Sequence, residues 1–359
     1  MRGSTALPIA SLALLHGLSL AGILGMSVYD PVREEEVRAV SFEQGGESDP
    51  ARRRFEKQDE GDSWKVLYRF EDGDEIPREI TCRIRKRDYE REVASFGYAK
   101  EKMWVELNRK LDQEIRQEAL RLGVTDDFSI EVSGQLDPDV RPAERDPLNR
   151  GGSPERIREF KEWLKGLKKR QQDLLADYYH QHGFRLNGKV LLVDYQGIAA
   201  RATPALKDCF RALNAVLAEP SQDEERSELF LRFFQQVRYE IPNRVDRQGR
   251  QTHGFRVPVA VMTDGSGDCD SKAAALSALW RNYPKQVLVL LRDGAKHALV
   301  ALEETPNDPD VQRIGNHYYR VGEVVAKENL PPEILESKDK ELWYTCIRPV
   351  GQSEKVSCP

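Results

Sequence analysis

Apolar residues recur every three or four positions over some stretches of the chain and alternate with polar ones over others, and the two periods mark expected helices and strands. Between residues 98 and 122, Trp104, Leu107, Leu111, Ile115, Ala119 and Leu122 follow helical spacing. Ser153-Pro154-Glu155 opens a further helix with a cap, a first-position proline and an acid at the positive helix end. Its apolar stripe runs through Phe160, Trp163, Leu164, Leu167, Leu174 and Tyr178 to about Gln181. Helices are also expected from Thr203 to Leu217, Asp223 to Val237 and Ser271 to Trp280. Strands are expected at Trp64 to Phe70, Glu79 to Ile84, Phe128 to Val132, Lys189 to Tyr195, Gln286 to Arg292, Lys296 to Leu302 and His317 to Val325. Asp293-Gly294 is a hairpin signal between two of them. A period of two puts His297, Leu299 and Ala301 on one face of their strand, and His317, Tyr319, Val321 and Glu323 on one face of theirs.

The N-terminus follows neither pattern. Ala6 to Val28 contains no Asp, Glu, Lys or Arg, and a run of that length is enough to cross a bilayer. Arg2 precedes it, and Asp30, Arg33 and Glu34-Glu35-Glu36 follow, a charge bias that predicts the N-terminus inside and the bulk of the chain exported, while the length of the run favours an uncleaved anchor. A cleaved signal peptide is the rival reading, with Gly25-Met26-Ser27 as its small-x-small candidate. His16, within the run, reads as a tolerated residue.

The expected organisation is a membrane anchor or signal segment at 1–30, a flexible polar linker at 31–62, a small α/β region at 63–135, a Pro- and Gly-rich linker at 136–153, a helical lead-in and main domain at 154–350, and a tail at 351–359. The fold class is α+β. A chain of 359 residues buries an ample core without metals or disulfides.

Lys+Arg 55 against Asp+Glu 60, spread along the chain, argues against a dedicated nucleic-acid partner. Arg52-Arg53-Arg54 and the basic residues of the 154–181 helix read as solvated faces. The histidines and acids form no metal-ligand spacing, so no metal and no cofactor is expected. The five cysteines are Cys82, Cys209, Cys269, Cys346 and Cys358, with no CxxC among them. Cys346 and Cys358 are the nearest to a natural pair, although spacing establishes no pairing.

Cys269 stands apart because of its neighbours. Gly265-Ser266-Gly267-Asp268-Cys269-Asp270-Ser271-Lys272 sets it where a glycine-rich loop turns into a helix. Unpaired N–H groups and the macrodipole at such a terminus lower a thiol pKa. His297 on one strand and Glu323 on another supply a base and a carboxylate to orient it, which together make a nucleophilic triad. Asp293, Glu303 and Glu304 are rival carboxylates. The plain alternative is that Cys269 and His297 are ordinary core residues.

The order of these segments resembles the transglutaminase-like superfamily, in particular its bacterial cysteine-protease-like branch with a papain-like fold. The resemblance lies in Phe233-Phe234-Gln235-Gln236-Val237-Arg238-Tyr239, in Gly265-x-Gly267-Asp268-Cys269-Asp270, in His297-Ala298-Leu299-Val300 and in Tyr319-Arg320-Val321-Gly322-Glu323. It covers about 190–330 and departs at Val324, where threonine is usual, and at Lys296, where glycine is usual. It implies Cys269 as nucleophile, His297 as base and then acid, Glu323 as the residue that holds the imidazole, and Gln235 with the Cys269 N–H as oxyanion donors. It further implies a peptide or protein substrate whose amide is attacked to give a thioester, resolved by water in a protease or amidase, the favoured outcome, or by an amine in a transglutaminase-like acyltransferase. The N-terminal run adds the expectation of a membrane-anchored enzyme, periplasmic or extracellular. A non-catalytic peptide- or partner-binding module of the same fold is the alternative.

Overall fold

Buried and exposed side chains alternate along residues 66–71 and 79–85, so this charged stretch folds as a strand pair with one apolar face. In the computed structural model of the chain, β1 (Phe55–Asp59), β2 (Ser63–Glu71) and β3 (Pro77–Arg85) form an antiparallel sheet in that order. Val66, Tyr68, Phe70, Ile80, Cys82 and Ile84 are its buried side chains. The structure describes residues 54–123, 128–132, 138–142, 153–187, 190–217, 223–292, 297–306, 311–326, 329 and 342–351. The apolar run 6–28 lies outside them; among the described residues no helix is long and apolar enough to cross a membrane.

β1 corrects one expectation. Residues 55–59 belong to the stretch read as a flexible linker, yet they pair with β2 from Phe55↔Tyr68 to Asp59↔Trp64. Only Phe55 in Phe-Glu-Lys-Gln-Asp is apolar, because an edge strand with four exposed side chains needs no second one. α1 (Lys86–Ser95) follows directly and has no counterpart in the apolar pattern, since its buried residues are the acids Asp88 and Glu92. Asp88 is held by Arg85 at 2.7 Å and Arg91 at 3.1 Å.

The chain divides into two compact units. One includes Glu101–Tyr178 and Leu186–Leu191. It holds α2 (Lys100–Leu122), the hairpin of β4 (Phe128–Val132) and β5 (Pro138–Pro142), α3 (Pro154–Lys165) and α4 (Leu167–Gln181). Ala119 and Leu122 pack on Phe160 and Leu164 to give this unit a core. The single helix expected over 154–181 is two, because Gly166 closes α3 with its N–H on the carbonyls of Trp163 and Leu164. Ser153 accepts from Arg156 N at the other end, as a cap should.

The second unit comprises Asp30–Lys100, Tyr179–Arg185 and Leu192–Pro359. After the short strands β6 (Phe184–Asn187) and β7 (Val190–Val193) come α5 (Tyr195–Ala202), α6 (Lys207–Asn214) and α7 (Asp223–Gln236). The helix expected over 203–217 is therefore shorter, and Asp194 starts an additional one by accepting from Gly197 N. β8 (Arg238–Tyr239), α8 (Pro258–Asp264), β9 (Ser266–Gly267) and α9 (Cys269–Trp280) lead to a five-stranded sheet. That sheet contains β10 (Val287–Arg292), β11 (His297–Glu303), β12 (Val311–Ile314), β13 (His317–Gly322) and β14 (Leu342–Ile347), ordered β12-β13-β11-β10-β14. All its neighbours are antiparallel, and β10 meets β11 in a register that ends at Arg292↔His297. Leu288, Leu290, Ala301, Tyr319 and Cys346 form a core cluster joined by Leu299 and Val321, members of the two alternating faces read from the sequence. The architecture is mixed α+β with antiparallel sheets.

A disulfide, Cys82–Cys209, ties β3 to α6 across 127 residues of sequence. Cys358, the suggested partner of Cys346, lies outside the described residues. Closing so long a loop removes unfolded-state entropy, so the C82A/C209A variant is expected to lose about 2–5 kcal/mol of unfolding free energy. Urea titration of the two proteins checks this; coincident midpoints would show that the bond constrains nothing.

Candidate active site at Cys269

The site begins with a helix that has no exposed face. α9 reads Cys-Asp-Ser-Lys-Ala-Ala-Ala-Leu-Ser-Ala-Leu-Trp, and every residue except Asp270 is buried. Small residues let neighbouring elements close in on it, and its hydroxyls are satisfied internally, Ser277 Oγ donating to Ala273 O. Asp268 caps it, and Lys272 N bonds back to Asp268 O at 2.9 Å. Cys269 is thus the first helical residue, where a backbone N–H has no intrahelical acceptor.

The loop before it depends on Gly265. This residue ends α8 at φ +65°, a left-handed conformation that favours glycine. A Cβ there would also stand 2.6 Å from the Phe55 ring. β1 therefore backs directly onto the nucleophile loop, helped by Lys57 Nζ on Asp264 at 2.9 Å and by Tyr68 OH donating to Met262 O at 2.7 Å. From the other side, β8 and β9 pair in parallel, Arg238↔Ser266 and Tyr239↔Gly267. Arg256 completes the frame. Its N–H donates to Ser271 Oγ at 2.9 Å, and its guanidinium reaches Ser266 O, Ser266 Oγ and Glu240.

His297 and Glu323 meet. The buried ring lies with Nε2 2.5 Å from Glu323 Oε2, while Glu323 Oε1 accepts from Val325 N at 3.0 Å. A carboxylate only accepts, so Nε2 carries the proton of this bond and Nδ1 is the ring's other nitrogen. Glu303 and Glu304 are engaged elsewhere, Glu303 with His317 at 2.8 Å and Glu304 with Ser227; Asp293 lies outside the described residues. The residue after His297, Ala298, donates its N–H to the Cys269 sulfur.

Gln235 closes the group. Its amide donates to the Glu323 carbonyl at 3.0 Å, so it holds the backbone of the acid-bearing segment. Lys272, fully buried, donates to Val237 O at 2.5 Å and thereby fixes the end of α7 against α9. Two tyrosines join the site, Tyr195 without any signal in the sequence and Tyr239 at the end of the 233–239 segment, where the resemblance assigns it no role. Tyr195 OH reaches Asp270 at 3.2 Å. Burial raises the Tyr239 phenol, and the acidic groups beside it, Cys269, Asp268, Asp270 and Glu323, raise it further.

One expectation is reversed. Burial pushes the Cys269 thiol well up, Asp268 and Asp270 push it further, and the Ala298 N–H only partly opposes them. The helix terminus favours a thiolate, but 8 % exposure between two acids outweighs it. The chain matches no protein-family model, no curated protein and no solved structure.

Two outcomes are expected. Alkylation of Cys269 by iodoacetamide stays slow through neutral pH and accelerates only above the ordinary thiol pKa of about 8.5, since less thiolate is present below it; half-maximal reactivity at or below that pH would contradict the burial argument. Gly265→Ala lowers unfolding stability by at least about 1–2 kcal/mol, the cost of a left-handed non-glycine residue. An unshifted denaturation midpoint would show that the turn tolerates a side chain.

Proposed function

We propose that this chain is a membrane-tethered, exported thiol hydrolase of the transglutaminase-like kind, with α9 and the five-stranded sheet as its papain-like core. The observation that carries the reading is the His297–Glu323 contact, made where Ala298 N–H meets the Cys269 sulfur. A buried imidazole with Nε2 fixed by a carboxylate presents Nδ1 as a base, the arrangement a thiol nucleophile needs. The Cys82–Cys209 disulfide supports an oxidising compartment.

The chemistry follows from the protonated thiol. Cys269 sulfur attacks an amide carbonyl as its proton passes to His297, and the C–S bond forms while the carbonyl becomes an oxyanion. The Cys269 N–H at the helix start is a donor for that oxygen. Collapse breaks the C–N bond, His297 protonates the departing amine, and a thioester remains. Water, deprotonated by His297, then releases the carboxylic acid and restores the thiol. Gln235 acts here by holding the Glu323 backbone, and its second amide hydrogen is the one available to an oxyanion.

A second reading, a peptide- or partner-binding module without turnover, is favoured by one observation: Cys269 is only 8 % exposed. Proteome-wide comparison of exported fragments separates the two. The enzyme reading expects Cys269→Ser and His297→Ala to lose the same fragments, with turnover of any isolated fragment precursor down on the order of 10²–10⁴-fold in His297→Ala. Identical fragment patterns in wild type and Cys269→Ser would rule out hydrolysis and leave the binding module.

A further inference from the structure

Both residues that flank Cys269 are acids, and the fold presses them together. One backbone N–H, that of Ser271, lies 3.4 Å from Asp268 Oδ1 and 2.8 Å from Asp270 Oδ1. Sharing one donor places the two carboxyl groups side by side at the start of α9. Two ionised carboxylates offer only acceptors and repel, so a pair crowded onto one N–H is relieved when one of them holds a proton. Tyr195 OH donates to Asp270 Oδ2 at 3.2 Å, and the shorter Ser271 bond is also to Asp270. Those donors favour charge on Asp270 and leave the proton with Asp268.

Titratable groups near this pair come from several elements around α9. Tyr195 comes from α5, Tyr239 from β8 and His297, with its partner Glu323, from the five-stranded sheet and the segment after it. The cations nearby are committed to other acceptors, Lys272 to Val237 O, and Arg256 to Ser266 and Glu240.

We propose that Asp268 and Asp270 are positioning residues, a proton-sharing pair that keeps the Cys269 sulfur protonated until an acyl group is seated and His297 takes the proton. Two like charges in contact cannot both ionise at neutral pH, and the remaining single charge beside the sulfur opposes a thiolate. The direction of the shifts agrees: burial and the partner acid raise Asp268 well above an ordinary carboxyl, and Cys269 rises with it. The inference rests on Cys269 being the nucleophile proposed above, but its test reads proton and thiol chemistry without turnover. It can therefore fail or succeed independently of that reading.

Two measurements on the full chain decide it. Infrared difference spectra of wild type minus Asp268→Asn at neutral pH are expected to show a protonated-carboxyl C=O band; carboxylate bands alone overturn the pair. Alkylation of Cys269 by iodoacetamide near neutral pH is expected to be at least about tenfold faster in D268N/D270N, as a fall of one pKa unit requires. An unchanged pH profile in that variant, with circular dichroism showing it folded, overturns the proposed control of the thiol. Should the double variant fail to fold, the same infrared comparison with Asp270→Asn decides. The amide introduced there donates to Asp268 and removes the need for its proton, so the protonated-carboxyl band is expected again in the difference; its absence overturns the pair.

Discussion

α9 is covered on all sides, and the rest of the second unit is arranged to make that burial tolerable. A helix with eleven buried residues out of twelve presents mostly small or apolar side chains to its neighbours; its buried Ser271, Lys272 and Ser277 find partners inside, whereas Trp280 Nε1 has no hydrogen-bond partner among the described residues. Ala273, Ala274, Ala275 and Ala278 allow close approach. Thr203 Oγ1 crosses from the end of α5 to the Ala278 carbonyl at 3.1 Å, and Lys272 directs its charge to the end of α7. Each of these polar contacts is also a constraint on position. The first turn of α9 is therefore fixed before any catalytic group is considered.

Three segments distant in sequence converge on that turn. Residues 54–59 back the loop through Phe55 and Lys57, residues 235–240 lie beside it through the β8–β9 bridge, and residues 297–325 supply the imidazole and its acid. Electrostatics divides along the same lines. Arg256, Lys272 and Lys57 are bound to carbonyls, to Ser266 Oγ and to Glu240 and Asp264, whereas the acids Asp268, Asp270 and Glu323 lie around the sulfur. The result is a thiol whose surroundings oppose its ionisation, so the proposed reaction needs a base to take its proton. This agrees with a ring nitrogen held by Glu323, since an imidazole oriented in advance loses no further freedom when it takes a proton.

Legibility follows the physical source of each element. α9 and the strands 287–292 and 297–303 are plain in the sequence because burial on both sides demands long apolar runs. α1 is invisible there because its buried side chains are Asp88 and Glu92, and no periodicity reveals the arginines that lie beside them. β1 is invisible because an edge strand carries little apolar signal. The break at Gly166 is hidden because the stripe from Phe160 to Leu174 keeps helical spacing through the cap. At the site, residue types and their order draw attention to Cys269, His297, Glu323 and Gln235. The direction of the thiol shift is not legible, because it is set by burial and by two carboxyls whose mutual contact depends on Ser271 and Tyr195.

The Cys82–Cys209 bond has a topological consequence. The segment it encloses includes the whole of Glu101–Tyr178, so the larger part of one compact unit is an excursion from a covalently closed ring in the other. A single peptide bond broken anywhere in that excursion yields two polypeptides and still one molecule. The nucleophile's half keeps its covalent hold on β1, β2 and the N-terminal side of the chain through sulfur alone. Such a nicked protein migrates as one species without reductant and as two with it.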